Sequence, residues 1–193
     1  MAYHGVKFGT VFRSEHVDVD QEIVGELARW CNEFARHNLA PTHPEGTYGN
    51  LSARLSGGRM LITATSLDLG AKLVASDFVV VHSCEMASFS MEVSGNRSPS
   101  SETPVHWALY EARPEVMAIF HGHNDEVNAN AADLGIAETA AEKPYGSLEL
   151  VEEVLRMSGH NFFNMKNHGF IAMGTTLDEA GALAMQQVGQ ATR

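Results

Sequence analysis

The chain has 193 residues, 44% of them hydrophobic, which suits one domain with a sizeable core and argues against disorder. The formal net charge is −11 with only 13 lysines and arginines, which disfavours the basic stripe of a nucleic-acid-binding surface. No apolar run reaches the length of about twenty residues that a membrane span needs. The N-terminal residues show no charged start followed by an apolar run, so no secretory signal is expected. Cys31 and Cys84 are the only cysteines, so a disulfide framework is not indicated and a cytoplasmic protein is expected.

In chain order, residues 1–17 show no clear period and read as an irregular arm. A helix follows, with Asp18 and Gln21 at capping-box spacing and Ile23, Leu27, Cys31 or Trp30, and Phe34 along one face. It should end near Asn38. Residues 40–49 carry Pro41, Pro44, Gly46 and Gly49 and read as a loop. Residues 50–55 alternate polar and apolar, Gly57 and Gly58 mark a hairpin turn, and residues 59–65 return as a second strand. Residues 77–82 and 89–93 continue an antiparallel meander. From Ser98 the pattern changes to a helix start, with Glu102 and Pro104 in the first turn and Pro114 closing the helix. A strand at 116–123, a short helix within 124–133 and a loop at 135–145 come next. Ser147 caps a helix to about Met157, two strands at 161–167 and 170–173 flank His168 and Gly169, and Thr176 with Glu179 opens a last helix. The order predicts one α+β domain over residues 1–193, three layers deep (α/β/α), with a mainly antiparallel central sheet.

The chemistry concentrates at Val116 to His123. An apolar run leads into His121 and His123, and side chains two apart on a strand project to the same face. Gly122 between them leaves the opposite face bare. Two parallel imidazoles are half a metal site, and His168 is the candidate third ligand. Three imidazoles with an open position suit a catalytic rather than a structural zinc ion. Glu102 can serve as a fourth ligand or as a general acid/base. Thr47, Asn50, Thr65, Ser66, Ser100 and Ser101 cluster at element ends. Ser100 and Ser101 precede a helix, where free N–H groups and the dipole attract anions. No lysine or arginine is expected in the pocket.

Taken together, these residues resemble the class II aldolase/adducin family over about residues 20–190. The matching motifs are Gly49 to Arg54, Leu61 to Thr65, Ser100 to Glu102 with His106 and Tyr110, Arg113 and Pro114, His121 to His123, and Asn167 to Gly169. The resemblance implies His121, His123 and His168 as ligands of one divalent ion, zinc foremost and cobalt, manganese or iron as substitutes. It implies Glu102 as the acid/base, and Thr47, Asn50, Thr65, Ser66, Ser100 and Ser101 as the binding set for a substrate phosphate. It further implies a homotetramer acting on a small sugar-phosphate-like substrate, with no nucleic-acid or membrane partner. The expected activity is a metal-dependent lyase that makes or breaks a C–C bond through a stabilised enediolate. The alternatives are a family epimerase, a dehydratase of methylthioribulose-phosphate type, a decarboxylase or a non-catalytic adducin-like module. Ala64 and Ser66 depart from the proline and glycine of the family's turn. Between His123 and His168 the chain is shorter than in the sugar-phosphate aldolases, and Tyr145 is the only tyrosine there.

Overall fold

A computed structural model describes residues 8–191. Strands β1 (Gly9–Ser14), β4 (Asn50–Arg54), β5 (Met60–Thr63), β6 (Phe78–Glu85), β7 (Ser90–Ser94), β8 (Ala118–Gly122), β9 (Phe162–Met165) and β10 (Gly169–Gly174) form one sheet. Their order is β1-β7-β6-β5-β4-β8-β10-β9. Every neighbouring pair is antiparallel except β1 with β7. The expected meander is therefore β4 to β7, with Gly57 and Gly58 both at positive φ in the first turn. Strands β2 (Thr42–His43) and β3 (Gly46–Thr47) pair as a small separate hairpin inside the expected loop.

The N-terminal arm needs correction. Residues 1–7 of it lie outside the described residues, but residues 9–14 are not irregular. They form β1, in parallel register with β7. Five of the six β1 residues are exposed, so no burial period marks the strand in the sequence. Its order comes from pairing with a segment some eighty residues downstream.

Helices cover both faces. On one lie Leu51, Phe120 and Phe170, under α1 (Gln21–Arg36) and α5 (Leu177–Ala191). Phe120 packs against Trp30 and Phe34, with ring centroids 5.9 and 5.6 Å apart. A side-chain carbon at Gly181 would stand 2.3 Å from the Trp30 ring, so this glycine lets α1 and α5 approach. The buried stripe of α1 is Val24, Leu27, Trp30, Cys31 and Phe34, close to the expected face. Its cap is Asp20, two residues later than expected, where a side-chain oxygen accepts from Glu22 N–H. Helices α3 (Asp125–Asn130) and α4 (Leu148–Arg156) fall inside the expected segments, and Ser147 caps α4 by accepting from Leu150 N–H.

The opposite face carries Asn50, Ser52, Ile119 and His121 and is covered by α2 (Thr103–Ala112), which packs on α4. Strand and helix are in step here. Two strand residues advance about 6.6 Å and four helix residues about 6 Å. Asn50, Ser52 and Arg54 thus reach Glu102, His106 and Tyr110 in turn. Asn50 donates to Glu102, Ser52 Oγ lies 2.7 Å from His106 Nδ1 and 2.9 Å from Tyr110 OH, and Arg54 donates to the carbonyls of Tyr110, Arg113 and Val116. This sequence motif is the clamp that fixes α2 on the sheet.

Candidate active site

His121 lies near the C-terminal end of β8, and His123 just beyond it. His121 stands opposite both Asn50 of β4 and Ile171 of β10. Gly122 is required rather than merely tolerated. A side-chain carbon there would lie 2.5 Å from Phe170 Cζ and 2.8 Å from the Leu39 carbonyl oxygen. His168 sits in the turn between β9 and β10, after Asn167 at φ 55°. Gly169 lets that turn close on the histidines: a carbon there would stand 2.4 Å from Gly122 O and 2.9 Å from His121 Cε1.

The three expected ligands converge. Ring nitrogens of His121, His123 and His168 all lie within 4.8 Å of one another. Glu102 joins them from α2, with Oε2 3.0 Å from His121 Nε2 and Oε1 3.1 Å from His168 Nε2. The expected start of α2 shifts here. Glu102, expected inside the first turn, is the N-cap residue, and its side chain makes no capping bond. The carboxylate is turned to the imidazoles instead.

Hydrogen bonding orients the buried imidazole. The Phe170 carbonyl can only accept, so His121 Nδ1, 2.9 Å away, is the N–H that donates to it. His121 thus turns Nε2 into the site, where it faces Glu102 Oε2 and, at 3.0 Å, His123 Nε2. Glu102 Oε1 is buried and faces His168 Nε2. Three converging ring nitrogens and a carboxylate in a buried site fit a cation. Nitrogen and oxygen donors at about 2.0–2.2 Å around a tetrahedral zinc ion are spaced about 3.3–3.5 Å, near the separations seen here.

The charges of these groups are coupled. Burial alone would raise the Glu102 carboxyl, but His121 and His168 hold it well below the usual range. Burial would lower His168, yet the Glu102 charge beside it prevails and raises it. Burial, with the neighbouring His121 and His168, pushes His123 well below its ordinary value, into the neutral form that binds metals. His106, fully buried behind the site, is lowered to about 3 by burial and then by His121. It stays neutral against Ser52.

A cavity of about 270 Å³ opens in front of the histidines. Thr47, Asn50, Thr65, Ser66, Ser100, Ser101, Glu102, His123 and His168 all line it, while His121 is fully buried beneath. Several of the expected binding groups are already engaged. Thr47 Oγ1 donates to Leu67 O and accepts from Leu69 N–H, and Asn50 Nδ2 donates to Glu102 at 2.9 Å. Arg97 braces the 65–66 turn by donating to the carbonyls of Thr65 and Ser66. The cavity also contains a lysine, contrary to the sequence expectation. Lys143 lines it, as do Glu142 and Tyr145. Nothing local marks these residues. They are brought in by long-range contacts: Thr139 N–H donates to Asn164 O, Asn167 donates to Glu142, and Gly146 at positive φ lies against Ser101 O.

Comparisons with known proteins find both curated relatives and similar folds. The chain is 34% identical over 141 residues to a methylthioribulose-1-phosphate dehydratase of Pectobacterium carotovorum, which covers 73% of this chain and 62% of the relative. It is 29% identical over 137 residues to the enzyme of that name from Yersinia enterocolitica, covering 71% of this chain and 59% of the relative. The chain thus spans about three fifths of the length of these curated relatives. In fold it is similar to an L-fuculose 1-phosphate aldolase, with a TM-score of 0.73, 24% identity and coverage of 90% and 84% of the two chains. It is also similar to YgbL of Escherichia coli, described as a putative aldolase/epimerase/decarboxylase, with a TM-score of 0.72, 21% identity and coverage of 89% and 87%. The family model for the class II aldolase and adducin N-terminal domain matches residues 25–188, and the chain belongs to that family.

Proposed function

We propose that this chain is a metal-dependent lyase that removes water from a small phosphorylated hydroxyketone of the methylthioribulose-phosphate type. One observation carries the proton-transfer chemistry: a buried carboxylate, Glu102, held 3.0 and 3.1 Å from two of three converging imidazoles. The choice of dehydration over C–C cleavage is supported by the curated relatives, named as dehydratases at 29–34% identity. The aldolase likeness, at 24% identity, concerns the fold alone. C–C cleavage, the reading the sequence motifs first suggest, is therefore the second choice.

His121, His123 and His168 would hold one divalent ion, which when bound supplies a Lewis acid for the substrate carbonyl. Zinc suits three imidazoles with an open position; cobalt, manganese or iron would fit the same donors. Glu102 takes the proton from the carbon next to the carbonyl. The C–O bond at the following carbon breaks, and the proton leaves with that hydroxyl as water. The resulting enol becomes the second ketone. Ser100, Ser101, Thr65 and Ser66 surround the place for the phosphate, with the N-terminal N–H groups of α2 and the Lys143 ammonium as its positive partners. A single domain, a cytoplasmic location and a homotetramer belong to the same reading, supported by the family resemblance and the composition.

The test is to load the purified chain with zinc and supply methylthioribulose 1-phosphate. The proposal predicts formation of a diketone and no release of aldehyde. Aldehyde release without loss of water would replace dehydration by aldol cleavage. Absence of both would remove this substrate type.

A further inference from the structure

The three histidines are not held alike. His121 is fixed by the Phe170 carbonyl and by Glu102, and His168 by Glu102. His123 has neither partner. Its Nε2 lies 3.0 Å from His121 Nε2, a contact that two nitrogens give up once both bind one ion. Imidazoles that bind a metal are ordinarily oriented by a further group behind them. At His123 that group is an aromatic ring. Tyr48 packs on it with ring centroids 5.1 Å apart and planes tilted by 36°.

The chain places Tyr48 there by register. Strand β4 pairs Asn50 with His121 in antiparallel sense. Tyr48 comes two residues before Asn50 and His123 two after His121, so the same register carried on makes them cross-strand neighbours on one face. Gly49 between Tyr48 and the strand is at φ 86°, and a side-chain carbon there would stand 2.7 Å from His121 O. In turn His43 of β2 packs on Tyr48, with centroids 4.6 Å apart and planes tilted by 39°. The hairpin fixes both rings: His43 Nδ1 accepts from Glu45 N–H, and Tyr48 N–H donates to Pro41 O. Tyr48 is 45% exposed at the cavity wall, so the core does not depend on it.

We propose that Tyr48 is a positioning residue for the metal: its ring, backed by His43, holds His123 in the orientation that turns Nε2 toward His121 and His168. This inference rests on the three histidines forming a metal site, but it does not require the dehydratase chemistry. An imidazole already in its binding orientation raises affinity, because no fraction of the chain must first rotate into place. The ring face does this, not the phenol oxygen, so phenylalanine can replace Tyr48 and an aliphatic residue cannot.

The experiment measures the zinc affinity of the purified chain by competition with a chelator, so no substrate or turnover is involved. Tyr48→Phe keeps the ring and should bind zinc within about twofold of wild type. Tyr48→Ala should bind it about three- to tenfold more weakly. His43→Ala removes the backing ring and should weaken binding by about twofold in wild type. In Tyr48→Ala it should have no further effect, because its path to His123 runs through Tyr48. Equal zinc affinity in wild type and Tyr48→Ala would overturn the proposal. So would a phenylalanine variant as weak as the alanine one, which would give the role to the hydroxyl. Additive losses from His43 and Tyr48 would overturn it as well, since they mark general damage to the hairpin. Should the alanine variant fail to fold, Tyr48→Leu decides: it fills the space without a ring face, and wild-type affinity there contradicts the assignment. A wild-type chain that binds no zinc would remove the metal site and this role together. Zinc binding that ignores Tyr48 would remove this role alone and leave the metal site standing.

Discussion

The cavity has two walls of different construction. The histidine wall stands on hydrogen-bonded strands and the tight turn beside them, where cross-strand register sets every position: Asn50 opposite His121 on one side, Ile171 on the other. Its glycines are packed so closely that an added carbon at Gly122 or Gly169 would fall 2.4–2.5 Å from a neighbour. The facing wall, which carries Lys143 and Tyr145, is a loop attached at a few points, such as Thr139 to Asn164 and Gly146 to Ser101. Rigid elements hold reacting groups more accurately than loops do, and loops change more freely. Under the proposed function this is a division of labour, with the metal ligands on the sheet side and part of the substrate contact on the loop side.

Three substitutions would break or sharpen that division. The largest effect is expected at Glu102. Glu102→Gln keeps the volume and should keep the metal, yet proton exchange at the substrate carbon should fall by about 10²–10⁴. Exchange at the wild-type rate, followed by NMR in deuterated water, would take the acid/base role away from Glu102. An intermediate effect is expected at Gly122, where alanine meets both the Phe170 ring and the Leu39 carbonyl. Gly122→Ala should cost about 1–3 kcal/mol in chemical denaturation, because a packed core resists added volume. A neutral result would mean that this wall is softer than its packing implies. The smallest effect on stability is expected at Lys143, which has no ion-pair partner among the described residues. Lys143→Met should leave stability within about 0.5 kcal/mol, while raising KM for a phosphorylated substrate several-fold. A change in kcat with constant KM would place Lys143 in the chemistry rather than in binding.

The same two walls explain how much of the molecule the sequence discloses. Period two at His121 and His123, and again at Asn50, Ser52 and Arg54, is a local signal. The structure keeps it, because each strand presents one face to α2. The class of the fold and the mostly antiparallel sheet are legible for that reason. What escapes has its cause far away in the chain. Strand β1 is nearly all exposed and exists through its pairing with β7. Helix α2 starts at a glutamate that gives up capping for the imidazoles, a trade invisible in a Ser-Ser-Glu sequence. Lys143 enters the cavity only because its loop is tied to β9 and to the start of α2.

The central claim is that His121, His123 and His168 form a metal site, and metal content measures it most directly. His123 lies at the cavity wall, so His123→Ala removes a ligand while leaving the sheet intact. After loading with zinc and dialysis, wild type should retain about one ion per chain and His123→Ala should lose most of it. No retained ion in wild type, or a full complement in the variant, would contradict the account.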